Sequence, residues 1–493
     1  MDNNTMMQFF EWYIPADQTL WQKLAKDARH LSSIGISAVW IPPCTKGTSS
    51  ADVGYGIYDR YDLGQFDQKG TTATKYGTRD ELLAAISALH QSGVGVYADI
   101  VMNHLAGADQ TQDITVVEVD RMNREKDISA PFGISAWTSF TYPGRGGKYS
   151  AFQWSWEHFT ATDWDEKARR SGIFRICGDY KHFSENVDHE LGNYDYLMYA
   201  DIDYNHPAVV AETLSWGKWL CDELSLDGIR LDAVKHINED FIELFVKSMK
   251  EYVGRPFFAV AEYWKDDLSC LRKYLDSENY YLTLFDVPLH YNFQEAGLRG
   301  KDFDLRTIFD GSLVRSNPMN VVTFVDNHDS QRHQALESYI SSWFKPLAYA
   351  LILLRKDGYP CLFYGDYYGV SGDDPMPDHR SEIDPLMLAR KIAAYGEQID
   401  SFDQPNVISW QRMGDQEHPF SGLAVLMSNN DDACKDLSFG VEMAFSVWMD
   451  ITSNISCRVT LSAEGKGKFL VQGSSVSVWV REEIFQARKM DET

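Results

Sequence analysis

Long apolar runs are what this 493-residue chain most plainly lacks. The longest, Leu347 to Leu354, falls far short of the ~20 residues a membrane-crossing helix needs. Positive charge is scarce as well. Lys and Arg total 46 against 72 Asp and Glu, a formal charge of −26. Such a surface repels phosphate backbones and anionic lipid, which argues against nucleic acid and membranes as partners. The seven cysteines are odd in number, scattered, and never in a C-x-x-C pair, so neither a disulfide framework nor a zinc site is expected. The N-terminal MDNNTMMQFFEWY has no basic stretch leading into an apolar one with a small-residue cleavage site. No secretory leader is therefore expected, and the free cysteines point to a reducing, cytoplasmic compartment. Internal repeats and low-complexity segments are missing too. What remains is ordinary globular composition, 44% hydrophobic and 24% charged, with length for roughly three structural units at about 150 residues each.

Up to about residue 104, short apolar runs alternate with amphipathic stretches, the rhythm of βα units around a parallel sheet. MMQFFEWY and SAVWIPP read as the first two strands. Leu20, Leu24, Ala28, Leu31 and Ile34 recur at helical spacing between them, and Gly35 suits the cap that ends such a helix. A third strand, VGVYADIVMNH, follows the helix carrying Leu82, Leu83, Ile86 and Leu89. From Leu105 to His206 the rhythm stops, and Gly, Asp and aromatic residues dominate. It resumes with WGKWLCDELSLDGIRLDAV and runs through FFAVAEYW, VVTFVDNHD and YPCLFYG. Strand ends fall near Asp99, Asp232, Glu262, Asp329 and Gly365. The expectation is an α/β fold, a closed (β/α)8 TIM barrel from 1–104 and 207–397, with residues 105–206 inserted after its third strand. Beyond about Gln398 short strands separated by Gly, Asn and Asp predict an antiparallel β-sandwich from 398–485, followed by a charged tail, 486–493.

In such a barrel the active site lies at the carboxyl ends of the strands, so acids placed there are candidates by position. In GIRLDAVKH, strand alternation puts Arg230 and Asp232 on one side of the pleat. The guanidinium lowers the carboxyl pKa, leaving Asp232 ionised as a nucleophile must be. Glu262 ends the apolar run FFAVA. A Glu in a partly dry pocket beside other carboxylates keeps its proton and can give it to a leaving oxygen. A nucleophile and a proton donor about 5–5.5 Å apart make a retaining glycosidase. Asp329 supplies a third carboxylate, suited to gripping sugar hydroxyls. A single acid at a strand end is more often a helix N-cap than a catalyst, and His104 or His328 alone is more often a structural hydrogen-bonding residue. Three carboxylates, an Arg and two His converging on one face outweigh that reading.

DIVMNH (99–104), GIRLDAVKH (228–236), AEYW (261–264) and FVDNHD (324–329) resemble, in order and spacing, the four signatures of the α-amylase family of retaining glycoside hydrolases. VGYGIYD, FDQKG, YGTRDEL, NYDYLMYADIDYNHP and WFKPLAYALILLR look like the bacterial liquefying and intracellular members in particular. The resemblance implies Asp232 as nucleophile, Glu262 as general acid and base, and Asp329 as transition-state stabiliser. It also implies Arg230, His104 and His328 at the cleavage subsite, Tyr55 stacked on that sugar, and Lys235 and Trp264 on the leaving side. Calcium is implied between the insertion and the barrel, held by Asn103, Asp195, Asp201 and the backbone carbonyl of His236. Thr160 and Ser184 stand where liquefying relatives carry further aspartates, and Pro405 and Asn406 where a His and an Asp are usual. One calcium is expected, and no others.

The activity so implied is endo-hydrolysis of α-1,4 bonds in starch, glycogen or maltooligosaccharides by a monomer. The alternative within the same chemistry is a transglycosylase that remodels maltooligosaccharide primers; nothing in the sequence separates the two. A zinc-dependent barrel hydrolase would need a His pair on the first strand, and FFEWY has none. A non-enzymatic glucan-binding barrel would lack part of the catalytic trio.

Overall fold

The computed structural model describes residues 3–485; the tail expected at 486–493 lies outside the described residues. Eight parallel strands close into a barrel in sequence order: Met6–Gln8, Ala38–Ile41, Gly95–Ile100, Gly228–Leu231, Phe258–Ala261, Thr283–Phe285, Val321–Phe324 and Tyr359–Phe363. They are short, and nearly all of their residues are buried. That suits a sheet whose interior is filled by side chains and whose exterior is covered by helices. The helix Leu20–Ile34 buries Leu20, Leu24, Ala28 and Leu31 and ends at Gly35, whose φ of 100° lets its N–H reach the Leu31 and Ser32 carbonyls. Arg79–Gln91 starts with a capping box, the Thr78 side chain on the Glu81 N–H and the Glu81 side chain on the Thr78 N–H. The longest apolar run proves to be part of the helix Lys345–Leu353, which is buried all round between the barrel and the C-terminal sheet. No described helix is long and apolar enough to cross a membrane.

Between the third and fourth barrel strands the chain forms a six-stranded antiparallel sheet with its own core of Val116, Ile134, Phe140, Phe159 and Phe174. Its first strand is His104–Leu105, and His104 pairs with Asp201 of Ala200–Ile202. The boundary expected after residue 104 thus falls inside a strand. One pairing brings the segment that follows the third barrel strand, the end of the first signature, against the far end of the insertion, which is what makes a shared site possible.

The C-terminal unit has a six-stranded antiparallel sheet facing a two-stranded one. Ala424, Leu426, Trp448, Phe469 and Trp479 fill the space between them. The opposite face, with Ile408, Trp410, Val425, Met427 and Val478, belongs to the barrel's own hydrophobic cluster. Burial on both faces explains why GLAVLM and SVSVWV are apolar with little alternation. At the same joint Asn429 Nδ2 donates to the Gly300 and Phe303 carbonyls, both at 2.8 Å, and Asn406 Nδ2 to the Lys301 carbonyl at 2.7 Å.

Candidate active site

Arg230, fully buried in the fourth strand, is the centre of the carboxyl-end mouth. Its Nη1 donates to Asp99 Oδ1 at 2.8 Å and Asp232 Oδ1 at 2.7 Å, and its Nη2 to Glu262 Oε2. One planar fork therefore sets the spacing of the two residues expected to act as nucleophile and acid. Their backbones are tied as well. The Asp232 N–H donates to the Ile100 carbonyl at 3.0 Å and the Glu262 N–H to the Leu231 carbonyl at 2.9 Å. Immediately after Asp232, Ala233 adopts a left-handed conformation, φ 47° and ψ 42°. Such strain costs about 1 kcal/mol or more and persists only where the surroundings over-determine it.

Asp99 is the penultimate residue of the third strand, near its end as expected, and accepts from Tyr55 Oη at 2.9 Å and Trp40 Nε1 at 3.0 Å. Elsewhere the geometry corrects the sequence reading. The seventh strand stops at Phe324, so Asp329 reaches the mouth on a turn. There Asn327 Oδ1 accepts the Asp329 and Ser330 N–H groups at 2.9 and 2.8 Å. Glu262, expected in a dry pocket beside other carboxylates, is also paired with Arg230.

Charge in the mouth is unbalanced. Four carboxyls, Asp99, Asp232, Glu262 and Asp329, surround a single guanidinium, so full ionisation would leave three uncompensated negative charges in a buried space. Protons are retained instead. Burial raises Asp329 to about 7, with Asp232 and Asp99 adding to the rise and Arg230 opposing it. Asp99 rises to about 6, again chiefly by burial. Burial pushes His104 and His328 below the ordinary histidine value, so both are neutral at pH 7.

The imidazoles then act as fixed hydrogen-bonding groups. His104 Nε2 faces the Tyr55 carbonyl at 2.8 Å, so it carries the proton and leaves Nδ1 as an unpartnered acceptor. His328 Nδ1 accepts from Gln8 Nε2 at 3.0 Å, which places its proton on Nε2, 3.3 Å from Asp329 Oδ2. Tyr55 lies parallel to His328 (5.1 Å, 9°) and to Trp12 (5.8 Å, 5°), giving a wall of three aligned rings. Lys235 and Trp264 sit together on another side, Lys235 Nζ 3.3 Å from the Trp264 carbonyl and 3.2 Å from Glu190. Trp264 packs on His290 and Phe324.

Sequence reasoning missed Trp12 and Gln8 and gave Asp99 no role. Gln8 is the last residue of the first strand, a position that was itself a usable signal. Trp12 lies beyond the strand, and nothing local marks it.

Asn103, Asp195 and Asp201 come together beside the mouth. Asn103 Nδ2 donates to Asp201 Oδ1 at 3.1 Å, and Asp195 and Asp201 are 4% and 1% exposed. Neither carboxylate has a Lys or Arg within ion-pairing distance among the described residues; Lys181 is engaged with Asp203 at 2.6 Å. Burial, then repulsion from Asp195, raises Asp201 well above the usual carboxylate range, and burial raises Asp195 to about 7. Two buried, mutually repelling acids without a cation fit a hard divalent ion. His236 follows the fourth strand and packs edge-on against Tyr194 at 4.2 Å. Thr160 donates its hydroxyl to Asp201, and the Ser184 N–H donates to Asp195 at 3.0 Å. The described residues hold no group of three or more His, Cys, Asp or Glu placed to bind a metal, so an amide and a backbone oxygen would have to complete the set.

The family model of the α-amylase catalytic domain matches residues 21–419. A glucan 1,4-α-maltohexaosidase of Bacillus sp. (strain 707) is 50% identical over 479 residues, covering 97% of this chain and 92% of that one. The cytoplasmic α-amylase of Escherichia coli (strain K12) is 42% identical over 496 residues, covering 98% and 100%. Among solved structures, an Anoxybacillus α-amylase superposes with a TM-score of 0.64 over 97% of both chains. At 17% identity that likeness concerns the fold.

Proposed function

The chain belongs to the α-amylase family of glycoside hydrolases, and from that membership we propose that it cleaves internal α-1,4-glucosidic bonds of starch, glycogen and maltooligosaccharides with retention of configuration. The observation that carries this reading is the single guanidinium of Arg230 holding Asp232 and Glu262 in one buried mouth. Asp232 attacks the anomeric carbon while Glu262 protonates the departing glycosidic oxygen, leaving a glycosyl ester on Asp232. Glu262, now ionised, takes a proton from water as the water oxygen attacks the same carbon, and the ester bond to Asp232 breaks. Asp329, raised to about 7, hydrogen-bonds sugar hydroxyls, and the net negative charge of the four-carboxyl cluster steadies the developing oxocarbenium-like charge. The aligned rings of Tyr55, His328 and Trp12 stack on the sugar at the cleavage subsite, and His104 Nδ1 accepts one of its hydroxyls. Lys235 and Trp264 hold the leaving segment.

Calcium would be held by Asn103, Asp195, Asp201 and the His236 carbonyl, where it supplies the positive charge that those two acids lack. Its work is to fasten the insertion to the barrel. Chelation should lower the Tm and added calcium restore it, and in Asp201→Asn that restoration should disappear.

The cytoplasm is the compartment that fits. All seven cysteines are free, and the E. coli relative carries that location in its name.

The decisive test of the mechanism is NMR of a maltooligosaccharide digest. An α-anomer should form first, and a first-formed β-anomer would overturn it. Product chain lengths at high substrate concentration report whether water or a second sugar accepts the glycosyl group.

A further inference from the structure

The opposite, N-terminal mouth of the barrel holds a cavity of about 470 Å³. It is lined by Phe258, Thr283, Val321 and Tyr359, the first residues of four neighbouring strands. Three cations also line it: Lys356, exposed at the rim, Arg390 on the helix Arg380–Ile392, and Arg412 at the end of the C-terminal strand Val407–Arg412. Asp415 is the one acid lining the cavity among the described residues, and it is occupied by His418 at 2.8 Å; Asp357 acts on Arg412 from outside the lining.

Both arginines are 6% exposed, yet neither has a carboxylate within ion-pairing distance among the described residues. Arg145, by contrast, holds Asp59 at 2.8 Å and Arg230 holds three acids, whereas Arg60 and Arg124 are likewise buried on carbonyl and hydroxyl partners, but not as a pair facing one cavity. Arg390 donates only to the Leu353 and Asn4 carbonyls and Arg412 only to the Gly396 carbonyl. Among the described residues, Arg390 Nε and Arg412 Nη1 are left without partners. Burial, followed by repulsion from Arg412, pushes Arg390 down to about 9. Two desolvated guanidiniums facing one space, with no carboxylate at ion-pairing distance among the described residues, are in an unfavourable state that a bound oxyanion relieves.

We propose that this cavity binds a small phosphate monoester, bridging the barrel helix that carries Arg390 and the β-domain strand that carries Arg412. Two guanidiniums and an ammonium match a dianionic, multi-acceptor group better than a single carboxylate. The volume beyond the phosphate leaves room for a small organic moiety against Phe258 and Tyr359. Catalytic residues sit at the other end of the barrel, so occupancy acts on the barrel–β-domain joint and not on the chemistry. It stabilises the fold by mass action.

Isothermal titration calorimetry of the full chain, with calcium present and ionic strength held constant, tests the site. Glycerol 2-phosphate is the probe and glycerol the control. One saturable site per chain is expected, with a Tm that rises as the probe is added. Arg412→Gln should weaken binding by about tenfold or more and leave starch hydrolysis by the folded protein unchanged. Lys356→Gln, at the exposed rim, folds normally and should weaken binding by a smaller factor. It decides the matter if Arg412→Gln does not fold. Absence of saturable binding in the wild type, or unchanged affinity in the folded variants, overturns the proposal.

Discussion

The two mouths of the barrel are built from opposite imbalances of charge. At the carboxyl end four acids share one guanidinium; at the amino end the cavity is lined by Lys356, Arg390 and Arg412 and, among the described residues, by one acid already bound to a histidine, with Asp357 acting on Arg412 from outside the lining. Asp99, Asp232, Glu262, Arg230 and the two amino-end arginines are buried, so water screens their charges little, whereas Asp329 is half-buried and Lys356 is exposed. Excess acid makes the first mouth retain protons, which is what acid–base chemistry on a glycosidic bond requires. Excess base gives the second mouth affinity for an anion. A chain with a formal charge of −26 presents no such affinity by its overall charge, which shows that local geometry outweighs net charge in a desolvated site.

The largest effect expected from disturbing this contrast is on activity. Asp232→Asn and Glu262→Gln should each lower the initial rate of reducing-sugar release by about a thousandfold or more, with circular dichroism unchanged. Residual activity within about tenfold of wild type would remove that residue from its role. Next in size is the cost of deleting the central cation. Arg230→Met strands three buried carboxylates and should cost about 3–5 kcal/mol in urea unfolding. Arg412→Met removes an arginine with no acid partner, so without added anion its loss should stay below about 2 kcal/mol. Equal losses at the two ends would break the comparison.

A smaller effect lies in the pH dependence of stability. Asp329 is raised from 3.8 to about 7, so between those values the folded chain holds a proton that the unfolded chain has released. Stability from this group is therefore present at low pH and lost as pH rises through that window. Asp329→Asn has no such proton to lose. Its Tm at pH 8 should exceed that of the wild type by about 2 °C or more, with the gap closing toward pH 4. A pH-independent difference would show that Asp329 is not held protonated by its surroundings.

Much of this was legible along the chain. Barrel rhythm, insertion and the candidate acids follow from apolar periodicity and from where each run stops, which are local properties that neighbouring residues dictate through backbone geometry and burial. The errors were local too. VVTFVDNHD reads as one run, but the strand yields at Phe324 to an Asn327 turn that brings Asp329 into the mouth.

Partnership was decided elsewhere. Arg230 reads in sequence as the neighbour of Asp232, whereas its hydrogen bonds also reach Asp99, 131 positions away, and Glu262, 32 positions away. Gln8 selects the tautomer of His328 across 320 positions, and Trp12 joins the wall of aligned rings with Tyr55 and His328 by the same closure of the barrel. Arg390 and Arg412 share a cavity only because the β domain docks beneath the strands. The sequence by itself determined the order of barrel, insertion and β domain and which acids lie at or just beyond the strands, because that depends on short-range pattern. Only the tertiary structure decided which charges meet and which are left unpaired, because burial and electrostatic pairing depend on distance in space.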